Sequence, residues 1–177
     1  MKKIIKNGKI KMDIKEVGFM QIVFETNNIL FIKVSPSLAK DYQKMINDLE
    51  VTKYFESRAP FTLEQEIAWA NEKLADNSIV FSMIEKKTNE FIGNIELMDV
   101  DEKVRELGII ITLDKQNKGY GKEAIRALLN YGKDVVGLQK IILRTNPLNS
   151  RAIHVYLECG FTETNRDSKH VYMQKLL

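Results

Sequence analysis

The segment 107–136 constrains the fold more than any other part of this chain. It contains the apolar run Ile109–Leu113, interrupted by one threonine, and such a run is typical of a strand buried on both faces of a sheet. A turn with Gly119 and Gly121 follows. The next apolar residues recur at helical spacing: Ile125, Leu128, Leu129, Gly132 and Val136. The segment therefore predicts a buried strand, a glycine turn and a helix that ends near residue 136.

Strands and helices alternate along the rest of the 177 residues. Period-two alternation and turn residues predict strands over 4–12 (two, around Asn7-Gly8), 17–24, 29–34, 79–86, 90–98, 104–113, 140–145 and 170–176. Capping signals and apolar periodicity predict helices after Ser35-Pro36, after Thr62 with Gln65 as capping-box partner, after Gly121, and within 148–158. This interleaving predicts a single α/β domain, a mixed β-sheet flanked by helices.

Composition excludes several classes of function. A net charge of +3 is too small to indicate a nucleic-acid partner. The single cysteine, Cys159, excludes an internal disulfide, and with only two histidines we expect no metal. No apolar run approaches the roughly 18–20 residues of a membrane-spanning helix, and no signal-peptide pattern follows the N-terminal lysines. We therefore expect a cytoplasmic protein that binds no membrane.

The glycine turn is suited to a phosphate group, because glycines allow close approach and a helix N-terminus offers unpaired N–H groups. A nucleotide-binding P-loop is excluded, since Lys122 is followed by Glu123 and not by serine or threonine. The stretch Gly119–Ala124 does match the short dinucleotide fingerprint. However, that fold expects an acidic residue about 20 positions further on, and the strand there ends in Arg144-Thr145-Asn146.

Two longer motifs resemble the GNAT superfamily of N-acetyltransferases. Gln116–Gly121 fits the pattern Gln/Arg-x-x-Gly-x-Gly/Ala of its pyrophosphate loop, and Asn149–Phe161 resembles its second signature. Leu49–Phe55 and Arg105–Gly108 are similar to the ribosomal-protein N-terminal acetyltransferase branch. The resemblance runs from about residue 25 to the C-terminus and implies a GNAT-like fold.

The resemblance also implies a particular architecture. The acetyltransferase domain is expected to span 25–177, and residues 1–24 have no counterpart and are expected to form an extra N-terminal β-hairpin. In the family two central parallel strands splay apart, which here are 106–113 and 140–145. One departure lies in the loop, where Asn117 stands at a position that is often glycine in the family.

The co-substrate implied by the resemblance is acetyl-CoA. Its pyrophosphate is expected at the glycine turn, where Lys115, Lys118 and Lys122 add positive charge. Its pantetheine arm is expected at the backbone of strand 109–111. Asn149 is expected to bind near the pantetheine or the pyrophosphate. The full set of expected cofactor-binding residues is Ile109, Ile110, Ile111, Gln116, Asn117, Lys118, Gly119, Tyr120, Gly121, Lys122, Asn149 and Arg151.

Acetyl transfer needs an acid for the departing thiolate and a base for the amine. By resemblance the acid is Tyr156, because a phenol stays protonated at neutral pH and can donate to sulfur; the alternative is that Tyr156 only packs. The base is Glu106 or Glu96, acting directly or through water. Solvent is a third possibility, because aminolysis of a held thioester is easy chemistry.

The acceptor is less defined by the sequence. Acidic residues between Glu96 and Glu106 favour a cationic amine, and the loop 51–61 with its aromatic residues is the other candidate for acceptor contact. We expect a small polyamine- or aminoglycoside-like amine. The alternatives are a protein N-terminal α-amine and, from another class, a non-catalytic acyl-CoA sensor. A homodimer is a mild expectation from the resemblance alone.

Overall fold

A computed structural model describes residues 21–56 and 60–177, together with the backbone of residues 5–6, 9–10 and 20. Its strands are β1 (Ile5–Lys6), β2 (Lys9–Ile10), β3 (Met20–Glu25), β4 (Ile29–Lys33), β5 (Ile79–Glu85), β6 (Phe91–Asp99), β7 (Val104–Ile111), β8 (Lys140–Thr145), β9 (Thr162–Arg166) and β10 (Val171–Leu176). Its α-helices are α1 (Ala39–Ile46), α2 (Leu63–Ala75), α3 (Tyr120–Tyr131) and α4 (Ser150–Glu158). None of the helices in these residues is long and apolar enough to cross a membrane.

The strands form one mixed sheet in the order β1–β2–β3–β4–β5–β6–β7–β8–β10–β9. The pair β7 and β8 is parallel, and the other neighbours are antiparallel. The crossover between the parallel strands contains the glycine turn and α3, as a parallel connection requires. The predicted α/β fold with a mixed sheet is therefore confirmed.

Helices cover both faces of the sheet. On one face α3 and α4 pack on β-strand residues such as Phe31 and Ile95, and Leu128 of α3 is fully buried there. On the other face Tyr42 of α1 and Ala70 of α2 pack on the alternate strand residues. The period-two alternation of β4 supplies both cores, since its odd- and even-numbered residues point to opposite faces.

Local signals in the sequence account for the helix starts. The Thr62 side chain accepts a hydrogen bond from the Gln65 N–H while the Gln65 side chain accepts one from the Thr62 N–H, which is the predicted capping box. The Ser35 hydroxyl caps a short 3₁₀ turn, Pro36–Leu38, that leads into α1. Hence this helix begins as an α-helix only at Ala39.

The structure corrects the sequence predictions in three places. β9 was not predicted, because all five of its residues are exposed and show no apolar alternation. The helix predicted to end near residue 136 is an α-helix only to Tyr131 and continues as a π-helical turn over Gly132–Val136. The run Ile109–Ile111 is half-buried rather than buried on both faces, because a cleft borders it.

The N-terminal predictions are only partly covered. β1 and β2 pair as antiparallel strands, but the predicted turn at Asn7-Gly8 lies outside the described residues. β3 spans the predicted boundary between residues 24 and 25 and pairs with β4. The division into residues 1–24 and 25–177 stays a prediction.

Candidate active site

The divergence of β7 from β8 opens a cleft of about 610 Å³. The two strands pair only from Val104 with Lys140 to Glu106 with Ile142, whereas β7 pairs with β6 as far as Ile111. Alternate backbone groups of a strand point toward opposite neighbours. Beyond Glu106, the groups of β7 that point toward β8 therefore have no partner strand. This is the splayed pair that the sequence predicted.

Helix α4 places Asn149 and Tyr156 on the cleft. The Asn149 side-chain oxygen accepts a hydrogen bond from the Ala152 N–H at 3.2 Å and caps the helix, which leaves the amide NH₂ available to a ligand. Tyr156 lies two turns further on and is 8% exposed. Burial raises the pKa of its phenol to about 12, so the hydroxyl stays protonated at neutral pH.

The two carboxylates predicted as bases share one face of the sheet. Glu96 of β6 lies opposite Gly108 of β7, and Glu106 lies opposite Met98, so the two side chains are diagonal neighbours. Glu106 is paired with the Arg144 guanidinium at 3.2 Å. Burial raises the pKa of Glu96, Lys73 lowers it, and the charge of Glu106 raises it again.

Gly108 makes room for the Glu96 carboxylate. A Cβ atom at position 108 would lie 2.8 Å from Glu96 Oε1 and 3.0 Å from its Cγ. The carboxylate therefore rests against the backbone of β7, next to the unpaired edge at Ile109 and Ile110. Of the two predicted bases, Glu96 is the one without an ion pair among the described residues.

The glycine turn presents a row of unpaired donors. Asn117 and Gly119 have φ angles of 59° and 87°, a left-handed conformation that glycine and asparagine adopt most readily, which accounts for Asn117 at this position. No residue in the described part of the chain accepts a hydrogen bond from the backbone N–H groups of 117–122. Unpaired N–H groups at and before a helix N-terminus suit an anion, and the pyrophosphate site stays a prediction.

A cluster of ion pairs around the buried Lys115, next to this turn, was not predicted. Lys115, one of three lysines near the turn, is 5% exposed and its ammonium binds the carboxylates of Glu85, at 2.7 Å, and Glu90. The Tyr120 hydroxyl donates to Glu85 as well. Lys115, Thr88 and Tyr120 lower the pKa of Glu85 to about 2. Lys115 therefore anchors the turn to β5 rather than facing a phosphate, and the Tyr120 side chain does the same.

The remaining predicted cofactor residues lie around the same site. The Gln116 amide donates to the Ile111 carbonyl at 2.9 Å and so closes the turn onto β7. Lys118 and Arg151 are exposed, and the Lys122 ammonium is paired with Glu158 at 2.7 Å. A Cβ atom at position 121 would lie 3.4 Å from Ile111 Cδ1. The structure thus sets Gln116 and Gly121 against the end of β7, and the cofactor-binding roles of all these residues stay predictions.

Sequence reasoning missed the opposite wall of the cleft. Helix α2 contributes Glu66 and Trp69, and a pair between His170 and Glu56 at 3.4 Å closes one side. Tyr54, Phe55 and Phe61 from the predicted acceptor loop also line the cleft. Helical spacing showed only that α2 has an apolar face, and no local signal indicated which strand that face would meet.

Comparison with solved structures identifies the fold. The spermidine N-acetyltransferase of Vibrio cholerae, in complex with CoA and spermine, superimposes with a TM-score of 0.76 at 22% identity, covering 85% of this chain and 96% of that chain. A structure from the same organism attributed to a ribosomal-protein-serine acetyltransferase gives 0.73 at 15% identity, covering 86% and 96%. At these identities the two likenesses show that the chain has the fold of the N-acetyltransferases.

Sequence comparison identifies the family. The family model described as "Acetyltransferase (GNAT) domain" matches residues 28–162. The chain is 33% identical over 95 residues to the spermidine N(1)-acetyltransferase of Vibrio cholerae, a match over 52% of this chain and 55% of that protein. The match thus spans little more than half of that relative. The chain belongs to the GNAT family of acetyltransferases, as its two motifs predicted.

Proposed function

We propose that the chain transfers the acetyl group of acetyl-CoA directly to a primary amine of a small polyamine-like acceptor. The charge of the cleft carries this proposal. Four carboxylates line it against one arginine and one histidine, and the ion pairs described above engage the carboxylates of Glu56 and Glu106. Glu66 and Glu96 remain without an ion pair among the described residues. A cleft with this surplus of negative charge attracts an acceptor with more than one positive charge.

The residues present fit acetyl-CoA, the co-substrate of GNAT enzymes. The N–H groups of 117–122 suit its pyrophosphate, and the unpaired backbone edge of Ile109 and Ile110 suits the amides of its pantetheine arm. The Asn149 amide lies on the same side of the cleft. Acetyl-CoA supplies an acetyl group that is activated as a thioester.

We propose Glu96 as the base. An amine acceptor arrives as an ammonium ion and must lose a proton before its nitrogen attacks. Burial raises the pKa of Glu96, which brings its basicity closer to the value needed near neutral pH. Glu106, the diagonal neighbour of Glu96, is ion-paired with Arg144. Its negative charge favours binding of the acceptor in its ammonium form.

We propose Tyr156 as the acid. As the new C–N bond forms and the C–S bond breaks, the leaving sulfur takes up negative charge and needs a proton. A phenol whose pKa is about 12 is fully protonated before the reaction, and no described residue takes a hydrogen bond from its hydroxyl. The nitrogen loses two protons in all: one passes to Glu96 before attack and is released to solvent, and the second, lost as the amide forms, restores the proton that Tyr156 gives to the sulfur.

The experiment has two stages. Acetyl-CoA at 100 times its dissociation constant stabilises the protein by about 2.7 kcal/mol, and we expect the melting temperature to rise on the order of 5–10 °C, with NADPH as control. CoA-thiol release is then measured with spermidine, 1,4-diaminobutane and a peptide with a free N-terminus. Release with the peptide alone would establish the protein N-terminal alternative. Binding without release with any amine would establish the sensor alternative.

A further inference from the structure

Glu66 is a buried carboxylate that has no partner among the residues the structure describes. It lies in the first turns of α2 and is 8% exposed, and no described residue donates a hydrogen bond to it or pairs with it. Its carboxylate lines the cleft. Burying an unpaired carboxylate costs several kcal/mol in general, so packing alone does not account for glutamate here.

The position of Glu66 on its helix strengthens this conclusion. Ala70, one turn further on, is fully buried against the sheet, so Glu66 occupies the face where packing favours an apolar residue. Burial raises the pKa of Glu66. The other two carboxylates of α2, Glu64 and Glu72, are exposed to solvent. The charge at Glu66 therefore opposes folding, and the stability of the fold does not explain why glutamate occupies this position.

The surroundings of Glu66 suit an organic cation. Trp69 and Tyr42 line the same part of the cleft and their rings meet edge to face at 5.4 Å. The Tyr42 hydroxyl is hydrogen-bonded to the Ser82 hydroxyl at 2.7 Å and accepts a hydrogen bond from the Ser35 N–H at 3.0 Å. It therefore donates no hydrogen bond to Glu66. A carboxylate beside aromatic rings is a favourable environment for an alkylammonium group.

We propose that Glu66 binds a second ammonium group of the acceptor while the reacting amine lies at Glu96. The enzyme then selects diamines and polyamines over monoamines, and Glu66 is the residue that determines this selectivity. This inference rests on the proposed function, since it names the acceptor contacts of the same cleft. Glu96 and Tyr156 carry the reaction for either kind of amine, so the loss of Glu66 affects only the doubly charged acceptors.

The test compares 1,4-diaminobutane with n-butylamine, which has the same chain length and one ammonium. Glu66→Gln keeps the shape of the side chain and removes its charge. We expect kcat/KM for the diamine to fall by about 100-fold, mostly through KM, and that for the monoamine to stay within about threefold. Glu72→Gln, on the exposed side of the same helix, is the matched control and changes neither. Glu66→Asp, which keeps the charge, retains the preference for the diamine.

Calorimetry supplies a readout that does not depend on turnover. Titration of 1,4-diaminobutane into the CoA-bound protein is expected to show binding in the wild type and a matching loss of affinity in Glu66→Gln. Equal losses for both amines, or unchanged diamine kinetics, would overturn the inference. If no amine is acetylated by the wild type, the proposed function fails. The calorimetric comparison then still decides whether Glu66 binds a diamine.

Discussion

Replacement of Gly108 by alanine tests whether the position of the Glu96 carboxylate governs catalysis. The new Cβ would lie 2.8 Å from Glu96 Oε1, and ordinary contact requires about 3.4 Å. The carboxylate must therefore retreat by about 0.6 Å. A misplacement of about 1 Å at a reacting group costs up to 10²-fold in rate, so we expect kcat to fall on the order of 10-fold.

The same substitution is expected to leave the fold intact. The clash is with the Glu96 side chain, at Oε1 and at Cγ, rather than with backbone, and alanine is favoured over glycine within a strand by roughly 0.5–1 kcal/mol. We expect an unchanged or slightly higher melting temperature and an unchanged KM for acetyl-CoA. Steady-state CoA-thiol release and a thermal melt measure these quantities.

A double-mutant cycle decides the mechanism. If Gly108→Ala acts by displacing the base, it has almost no further effect on kcat in the Glu96→Gln background, because no base remains to be displaced. A repeated 10-fold loss in that background would refute the reasoning. It would show that the methyl group disturbs the backbone edge of β7 instead.

Three further predictions follow from the same geometry. Tyr156→Phe is expected to lower kcat by about 10²-fold without loss of stability, and wild-type turnover would exclude the acid role. Glu106→Gln removes a charge that raises the pKa of Glu96, so the acid limb of the kcat/KM profile moves to lower pH; an unmoved limb would exclude Glu96 as the base. Glu85→Gln weakens the anchor to Lys115 and is expected to raise KM for acetyl-CoA about 10-fold with little change in kcat. Because the folded pKa of Glu85 is lowered from 4.5 to about 2, wild-type stability from this group is present above pH 4.5 and lost as pH falls through about 2. A denaturation series in that range should show this loss in the wild type but not in Glu85→Gln.

Much of the fold was predictable because its signals are local. The capping box at Thr62 and Gln65 and the strand before the glycine turn each depend on residues close in sequence. β8 was predicted with its observed bounds, Lys140–Thr145. β9 was missed because pairing with β10, and not an apolar face, holds it in the sheet.

The candidate site was predictable only where its residues belong to a motif. Asn149 and Tyr156 lie on one helix, and Glu96 and Glu106 lie on adjacent strands, so spacing and resemblance pointed to them. Glu66 belongs to no motif, and along the sequence it is one of several glutamates on α2. Only the packing of that helix on the sheet makes it buried, and only burial makes its charge costly enough to indicate a ligand.

The sequence by itself determined the α/β class, the glycine turn and the family, because each depends on hydrophobic period or on residues at short, fixed spacing. The tertiary structure decided which carboxylate is paired and which is unpaired. Arg144 reaches Glu106 from β8, while Gly108 lets Glu96 lie against β7. It also turned Lys115 away from the phosphate site. Charge pairing and burial depend on contacts between segments distant along the chain, and no local pattern encodes them.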